Sequence, residues 1–473
     1  MNRLFGFHDK EFYKLLIKLA LPMTLQYFIS SSLYFVDNIF VGMLGEKQAA
    51  AIYAANSIYA VMNVSCFGLV SGCMIFYSQY WGDRDVHGMR RVMGINLIGI
   101  CLITFTFLSV MQATPESLLR FFSQDPEVLA YAKSFVRISS IGYVPNMLAF
   151  TFGAALRSCN KVRLPMISSA IALCVNTFLN WTLIFGHLGM PRLELAGSGI
   201  ATLTASLIDL TIVLSVTYGK KLPAAAKIRE MFFDRRLLKK VLGRAIPVLV
   251  IEIFWALGGI FLFPVFIGAK TDVFPNSDIL AALSLYTVTD RFSFVLFLGI
   301  CNAIAVIIGN KIGAGEEDKA YLYGKRMLAL GPIIGIIIAG LAIAARPLVV
   351  SIYPNYSDAV KGLGMDFMLI AACAVPFIVY NFFMLVGVLR AGGDTRFCMI
   401  MDIGGMYLIS IPLVILAVYV FDIPVQAAFA IYFVGELVKI FFTTPRFKSR
   451  KWIVNLVRPD KPEPPGAELQ AEN

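Results

Sequence analysis

One carboxylate, Asp37, lies inside the first long apolar segment of the chain. No charged residue lies between Lys18 and Asp37, and the segment ends eight residues later at Gly45. At 1.5 Å per helical residue, Asp37 would lie roughly 12 Å inside the end of a helix. A carboxylate at membrane depth costs about 2.5–3.5 kcal/mol. We therefore predict that Asp37 binds a cation or a proton. The alternative is that it marks a helix end or donates, as a neutral acid, to a neighbouring backbone.

Three more polar side chains fall at a similar depth in two later apolar segments. Asn176 and Asn180 are four residues apart, which places them on one helix face roughly 15 and 9 Å from Gly186. Thr202 follows Gly197 by five residues, at a depth of roughly 7–8 Å. Carboxylate, amide and hydroxyl oxygens suit a hard cation such as Na⁺, by analogy with Ca²⁺ and Mg²⁺. The alternative is that these side chains hold the helices together through hydrogen bonds.

The second half of the chain offers further ionisable candidates. Glu252 lies nine residues into an apolar segment with no basic residue close in sequence, so it is a second candidate for binding a proton or cation. A hydrogen bond across helices is its alternative role. Asp290 is adjacent to Arg291, and because helix neighbours do not face each other, each needs another partner or lines water. Glu436 and Lys439, three residues apart, are interpreted as a local ion pair.

The composition indicates which kind of element holds these residues. Of 473 residues, 58% are hydrophobic and only 15% are charged, with a mean hydropathy of +0.75, whereas soluble domains carry about 25% charged residues. We predict an all-α integral membrane protein in which the first helix acts as its own insertion signal. Twelve spans are long enough to cross about 30 Å of hydrocarbon: 15–43, 50–80, 92–113, 131–155, 164–186, 197–218, 244–268, 279–308, 325–345, 362–389, 397–420 and 424–445.

The basic residues set the orientation and exclude a nucleic-acid partner. The net charge is +11, but most of the 41 lysines and arginines fall in the short loops of one side, together with both termini. This asymmetry predicts that both termini lie in the cytoplasm. We expect the cytoplasmic membrane as the location, with the lipid bilayer as the surroundings and a monomer as the working unit.

The two halves of the chain resemble each other. Leu-Arg-Ser-Cys-Asn-Lys-Val-Arg begins at Leu156 and Leu-Arg-Ala-Gly-Gly-Asp-Thr-Arg at Leu389; Gln79-Tyr-Trp-Gly matches Asn310-Lys-Ile-Gly; and Pro22 matches Pro247. Three landmarks in one order at nearly one offset predict a parallel repeat of a six-helix bundle. The predicted domains are a first lobe (1–218), a basic cytoplasmic linker (219–243), a second lobe (244–446) and a disordered tail (447–473), whose end is rich in Pro, Glu and Gln.

Motifs for enzymes and resident cofactors are missing from the sequence. We find no P-loop, HExxH, GxSxG or GxGxxG pattern, so we expect no enzyme, no ATP use and no cofactor. The eight cysteines show no CxxC pair, and the three histidines are scattered. Energy for transport would have to come from an ion gradient or from the gradient of the substrate itself.

Taken together, these residues resemble the multidrug and toxic compound extrusion (MATE) family. The motifs are Asp37-Asn-Ile-Phe-Val-Gly-Met-Leu-Gly, Gln79-Tyr-Trp-Gly, Leu156-Arg, the Asn176/Asn180 helix, Ala201-Thr202 and Leu389-Arg-Ala-Gly-Gly-Asp-Thr-Arg. The resemblance covers about residues 12–445. It implies two six-helix lobes, a V-shaped central cavity, and export of organic cations or amphiphiles in exchange for Na⁺ or H⁺. It also implies that Asp37, Asn176, Asn180 and Thr202 form the cation site of the first lobe.

Two departures from the family pattern concern the coupling ion. Asn180 stands where many relatives carry Asp, and the tenth span lacks the acidic residue found in some relatives, with Asn381 as the nearest polar substitute. The lost charge should weaken cation binding and favour protonation of Asp37.

Two alternatives to antiport remain. The first is a flippase for lipid-linked precursors, which would favour a strongly basic cavity. The second is a non-transporting scaffold or receptor, which would be indifferent to Asp37→Asn.

Overall fold

The computed structural model describes residues 9–268, 275–354 and 356–458, and these ranges contain helices but no strands. We number the long helices α1 to α12. Their bounds are α1 Lys10–Gly42, α2 Glu46–Gly82, α3 Val86–Ala113, α4 Pro126–Ser158, α5 Arg163–Phe185, α6 Glu194–Gly219, α7 Arg235–Ile267, α8 Asn276–Gly313, α9 Glu317–Ser351, α10 Asp358–Leu389, α11 Thr395–Tyr419 and α12 Val425–Lys448.

Eleven of these helices, within the described residues, are long and apolar enough to cross a membrane. The exception is α4, which is long enough but carries Ser139, Ser140 and Asn146 in its middle. The predicted all-α membrane architecture is therefore confirmed. We call the side at which α1 begins and α12 ends the terminal side, and the opposite side the far side.

Two predicted domain boundaries differ from the structure. The charge of the stretch before residue 244 predicts a linker, but α7 already begins at Arg235, where the carboxylate of Asp234 accepts a hydrogen bond from the backbone N–H of Leu237. The boundary of the disordered tail at 447 is also wrong, because residues 449–458 fold back onto the helices. Residues 459–473 lie outside the described residues.

The helices form two lobes, α1–α6 and α7–α12, which contact each other along matching seams. Helix α1 packs against α8, and α2 packs against α7 and α8. Since α1 and α2 correspond to α7 and α8 in the repeat, the α1–α8 and α2–α7 seams are equivalent. One buried apolar cluster spans both lobes on the terminal side, whereas each lobe has its own cluster nearer the far side.

Glycines allow the closest approach between the lobes. A Cβ on Gly82 of α2 would overlap the backbone carbonyl of Asn310 in α8, and a Cβ on Gly313 would overlap the carbonyl of Gln79. These residues belong to the two copies of the repeated Gln/Asn-x-x-Gly motif. The motif therefore serves close backbone packing at the terminal side, where any side chain would push α2 and α8 apart.

Residues 449–458, which we call the strap, join the second lobe to the first across this contact. The backbone N–H of Val454 donates to the carbonyl of Gly392 at 2.9 Å, and Asn455 Nδ2 donates to the carbonyl of Ile312 at 2.9 Å. Gln79 of the first lobe accepts from the N–H of Leu456 at 2.7 Å. Trp452, which is fully buried, holds the strap in place.

We expect Trp452→Ala to lower the stability of the folded protein by about 3–5 kcal/mol, the usual cost of truncating a buried tryptophan. Its indole N–H donates to the carbonyl of Phe447 at 3.0 Å, and its ring stacks on the Phe447 ring. Thermal unfolding of the purified protein in detergent measures the change. Lys451→Ala, at the exposed neighbouring position, is the matched control, and an equal melting temperature for both variants would contradict this role of the strap.

Candidate functional site

Three helices of the first lobe bring the predicted polar residues together. Asp37 is on α1, Asn176 and Asn180 are on α5, and Thr202 is on α6. Helix α5 packs against both α1 and α6, so its face bearing the two asparagines lies between them. Asp37, Asn176 and Asn180 are buried, and Thr202 is half-buried.

The four side chains form one hydrogen-bonded cluster around the carboxylate. Asn180 Nδ2 donates to Asp37 Oδ1 at 2.6 Å and lies 3.0 Å from Asn176 Oδ1. Thr202 donates its hydroxyl to Asp37 Oδ2 at 3.2 Å, and Asn176 Nδ2 lies 3.5 Å from Thr202 Oγ1. The structure thus places all four predicted residues in one contiguous group.

The electrostatics of this cluster favour a bound positive charge. No salt bridge to Asp37 occurs among the residues described, so its charge is opposed only by hydrogen bonds. In addition, Asn180 Oδ1 is buried with no hydrogen-bond partner among the described residues, which leaves an acceptor unused beside the carboxylate. An unpaired buried carboxylate is costly, and a proton or a monovalent cation would reduce that cost.

An apolar layer separates the cluster from the far side. Val41 lies one turn beyond Asp37 on α1, Ile184 lies one turn beyond Asn180 on α5, and Leu195 lies two turns before Thr202 on α6. All three are buried and belong to the far-side apolar cluster of the first lobe. An ion arriving from the far side would therefore need these side chains to move, unless it entered between the lobes.

We expect Asn180→Asp to raise the affinity for Na⁺ at least about tenfold, which corresponds to about 1.4 kcal/mol. The change replaces an amide that touches Asp37 with a second carboxylate, and two adjacent carboxylates bind a cation more tightly than one. Binding of ²²Na⁺ to the purified protein at about pH 8 measures the affinity. Asn63→Asp is the control, since Asn63 donates to Tyr59 elsewhere in the lobe. Equal affinities in wild type and Asn180→Asp would contradict the expectation.

Glu252, the first candidate of the second lobe, is paired with a basic residue. Arg390 Nη1 lies 3.0 Å from Glu252 Oε1, and the side chains are 4% and 18% exposed, respectively. The sequence alone does not reveal this pair, because Arg390 lies 138 positions after Glu252. Glu252 is therefore not a bare carboxylate like Asp37, and its role in coupling stays a prediction.

The first lobe contains the same pairing with one charge removed. Arg157, at the repeat position of Arg390, donates from Nη1 to Gln26 Oε1 at 3.1 Å. Gln26 follows Pro22 by four residues, much as Glu252 follows Pro247 by five. Arg157 is fully buried, and within the part of the chain that the structure describes its Nε and Nη2 atoms have no hydrogen-bond partner. The repeat thus has an ion pair in one lobe and a nearly unpaired guanidinium in the other.

The two remaining candidates of the second lobe lie in different environments. Asp290 is exposed on α8, and no hydrogen bond or ion pair in the described structure joins it to Glu252 or Asn381. Asn381 is buried on α10 and donates from Nδ2 to Glu436 Oε2 at 2.8 Å and to the Glu436 carbonyl at 2.6 Å. The three candidates therefore do not form one site.

Several polar residues that form hydrogen bonds or ion pairs inside the lobes were not among the predicted site residues. They are Gln26 and Arg157 in the first lobe, and Arg390 and Asp402 in the second. A signal was available in the repeated Leu-Arg motif, because it places one arginine at the same position of each lobe. A second signal was Lys439, a cation inside an apolar span, because burying a charge there costs free energy unless it has partners.

Comparisons with known proteins agree with the resemblance seen in the sequence. The MatE family model matches residues 22–182 and 273–416. The chain is 26% identical over 437 residues to the probable multidrug resistance protein NorM of Pasteurella multocida, covering 86% of this chain and 87% of that protein. It is 24% identical over 419 residues to the multidrug and toxin extrusion protein 1 of Oryctolagus cuniculus, covering 85% and 69%.

Solved structures share the fold. The structure described as the outward-facing conformation of a multidrug resistance MATE family transporter of the MOP superfamily superimposes with a TM-score of 0.82 at 18% identity, over 93% of this chain and 96% of that one. A MATE crystal structure in complex with MaL6 gives a TM-score of 0.82 at 17% identity, over 93% and 97%. The two-lobe arrangement of the repeat is therefore shared with these proteins.

Proposed function

Because this chain belongs to the MatE family of transporters, we propose that it is a secondary antiporter. It exports organic cations or amphiphilic drugs and toxic compounds across the cytoplasmic membrane in exchange for Na⁺ or H⁺. Both termini lie in the cytoplasm, as the distribution of lysine and arginine indicates. The protein works as a monomer, without ATP. The relatives named as multidrug resistance and extrusion proteins support this substrate class.

The observation that carries the proposal is the enclosed Asp37 cluster. It holds one carboxylate, two amide groups and one hydroxyl, with one buried carbonyl oxygen unpartnered. Loading with a cation or proton changes the charge of a group that links α1, α5 and α6. A change of charge inside the first lobe can favour one packing of these helices over another, and an ion shifts such an equilibrium by its differential affinity for the two states.

Exposed aromatic residues, one pair of them between the lobes and one inside the second lobe, support an amphiphilic substrate. Phe28 of α1 and Phe292 of α8 are each more than 40% exposed, with ring centroids 6.3 Å apart. Trp255 of α7 is 57% exposed and stacks on Phe294. Aromatic faces attract organic cations and offer large apolar contact areas, so these residues are the proposed contacts for the exported compound.

Transport by the purified protein in liposomes tests the proposal. A Na⁺ gradient and a pH gradient are imposed separately, and the flux of a fluorescent cationic dye is followed. We expect one of the two gradients to drive dye flux above that of protein-free liposomes. The absence of flux under both gradients, with monodisperse and folded protein, would contradict antiport of this class of compound.

A further inference from the structure

The second lobe contains a buried charged cluster that includes its own cation. Lys439 Nζ of α12 lies 2.6 Å from Glu436 Oε1 on the same helix and 3.4 Å from Asp402 Oδ1 on α11. Asn381 of α10 donates to the other Glu436 oxygen at 2.8 Å. The cluster thus joins three helices of the second lobe, as the Asp37 cluster joins three helices of the first.

The backbone is irregular at each helix that contributes to this cluster. The α-helical part of α10 ends at Phe382, next to Asn381, and continues as a π-helix over Phe383–Leu389. In α11, a π-helix begins at Gly404, two residues beyond Asp402. Helix α12 is interrupted between Tyr432 and Val434, just before Glu436. Since π-helical turns are frequent at functional sites, their convergence here points to more than an ordinary ion pair.

An unused acceptor also points to a ligand-binding arrangement. Asn381 is 1% exposed, and its Oδ1 atom has no hydrogen-bond partner in the described ranges, although its amide nitrogen donates to Glu436. Carboxylate and amide oxygens are the kinds of ligand that a hard cation prefers. The Lys439 ammonium lies between the two carboxylates, in the place that such a cation would take.

The charges of the two lobes differ in one respect. Asp402 and Glu436 carry two negative charges against the single positive charge of Lys439, and their side chains are 25% and 23% exposed. Asp37 has no lysine or arginine within salt-bridge distance in the described structure. Among the described residues, the Asp37 cluster therefore has no cation of its own, whereas the cluster of the second lobe includes the Lys439 ammonium.

We propose that Lys439 is a tethered counter-cation that fills the cation site of the second lobe. Building on the proposed antiport, Lys439 keeps this cluster from exchanging a cation with solution, and the exchange that drives transport takes place at Asp37. The other role for the same residues is a purely structural ion network, in which removal of the ammonium creates no binding site.

Binding of ²²Na⁺ to the purified full-length protein at about pH 8, by equilibrium dialysis, tests this inference. The variants carry Asp37→Asn, so that the first lobe does not contribute. We expect Asp37→Asn alone to bind no Na⁺ and Asp37→Asn/Lys439→Met to bind about one per chain. Adding Glu436→Gln should abolish the gained site, and Lys439→Arg, which keeps the cation, should gain none.

Two results would overturn the inference. One is that folded Asp37→Asn/Lys439→Met gains no Na⁺ binding. The other is that Asp37→Asn alone already binds Na⁺ in a way that depends on Glu436. If Lys439→Met does not fold, Asp402→Asn/Lys439→Met removes one of the two carboxylates and should still gain a weaker site. Equilibrium dialysis measures Na⁺ binding and not transport, and all these variants lack the Asp37 carboxylate. The outcome therefore does not depend on dye flux. Failure of the proposed antiport and failure of this inference are therefore distinguishable.

Discussion

Asp37→Asn is expected to reduce gradient-driven dye export to the level of protein-free liposomes. The substitution keeps the size of the side chain but removes the negative charge that a proton or Na⁺ would neutralise. Asn180 can still donate to the amide oxygen of the substituted side chain, and the Thr202 hydroxyl can accept from its NH₂ group, so the helices α1, α5 and α6 should remain packed. The loss would then reflect the missing exchangeable charge and not a collapsed lobe.

Asp422→Asn is the matched control for this measurement. Asp422 is exposed in the loop after α11 with a φ of 47°, a conformation that asparagine also tolerates. We expect its flux to equal that of wild type, and the melting temperatures of both variants to stay close to that of wild type. Undiminished flux in Asp37→Asn would show that the carboxylate takes no part in coupling and would falsify the assignment of the site.

Arg390→Met is expected to destabilise the protein by about 3–5 kcal/mol, because it leaves the Glu252 carboxylate buried without its partner. The two side chains are only 4% and 18% exposed, so water replaces the guanidinium poorly. Thermal unfolding in detergent measures the loss. The double variant Arg390→Met/Glu252→Gln removes both charges and should recover most of the lost stability. A loss that persists in the double variant would instead reflect packing.

The same substitution in the first lobe should behave differently. Arg157→Met leaves only the neutral amide of Gln26, and the arginine it removes has two nitrogen atoms without partners. Replacing even a buried ion pair with apolar side chains is often neutral or stabilising, and the Phe150 ring beside the Arg157 guanidinium is a suitable apolar neighbour for Met. We therefore expect Arg157→Met to cost much less than Arg390→Met. Equal losses would contradict the view that Glu252 makes the two repeats electrostatically different.

The cluster around Asp37 was predictable because its geometry follows from helix periodicity and membrane depth. Residues four apart on a helix share a face. Residues at similar distances from the ends of different membrane-spanning helices lie at a similar depth in the bilayer. These two rules bring Asp37, Asn176, Asn180 and Thr202 to one level without any knowledge of which helices are neighbours. The packing of α5 between α1 and α6 then supplied the contacts.

The second lobe was less predictable because its polar residues are neutralised by partners far away in sequence. Glu252 has no basic neighbour along the chain, yet Arg390 lies against it. The predicted local pair of Glu436 and Lys439 forms, but Lys439 also reaches Asp402 across α11 and α12. Helix periodicity cannot show which faces of different helices meet. For a buried carboxylate, the facing helix decides whether it has a basic partner.

The membrane class, the helical spans, the duplication and the level of the first polar cluster could all be predicted from the order of the amino acids. They follow from hydropathy, length and internal similarity, which are properties of single segments. The pairing of buried charges, the close contact at Gly82 and Gly313, and the strap bearing Trp452 became visible only in the folded chain. Such features depend on contacts between segments far apart in sequence, because the free energy of burying a charge or a ring is set by its partner and not by its own position in the chain.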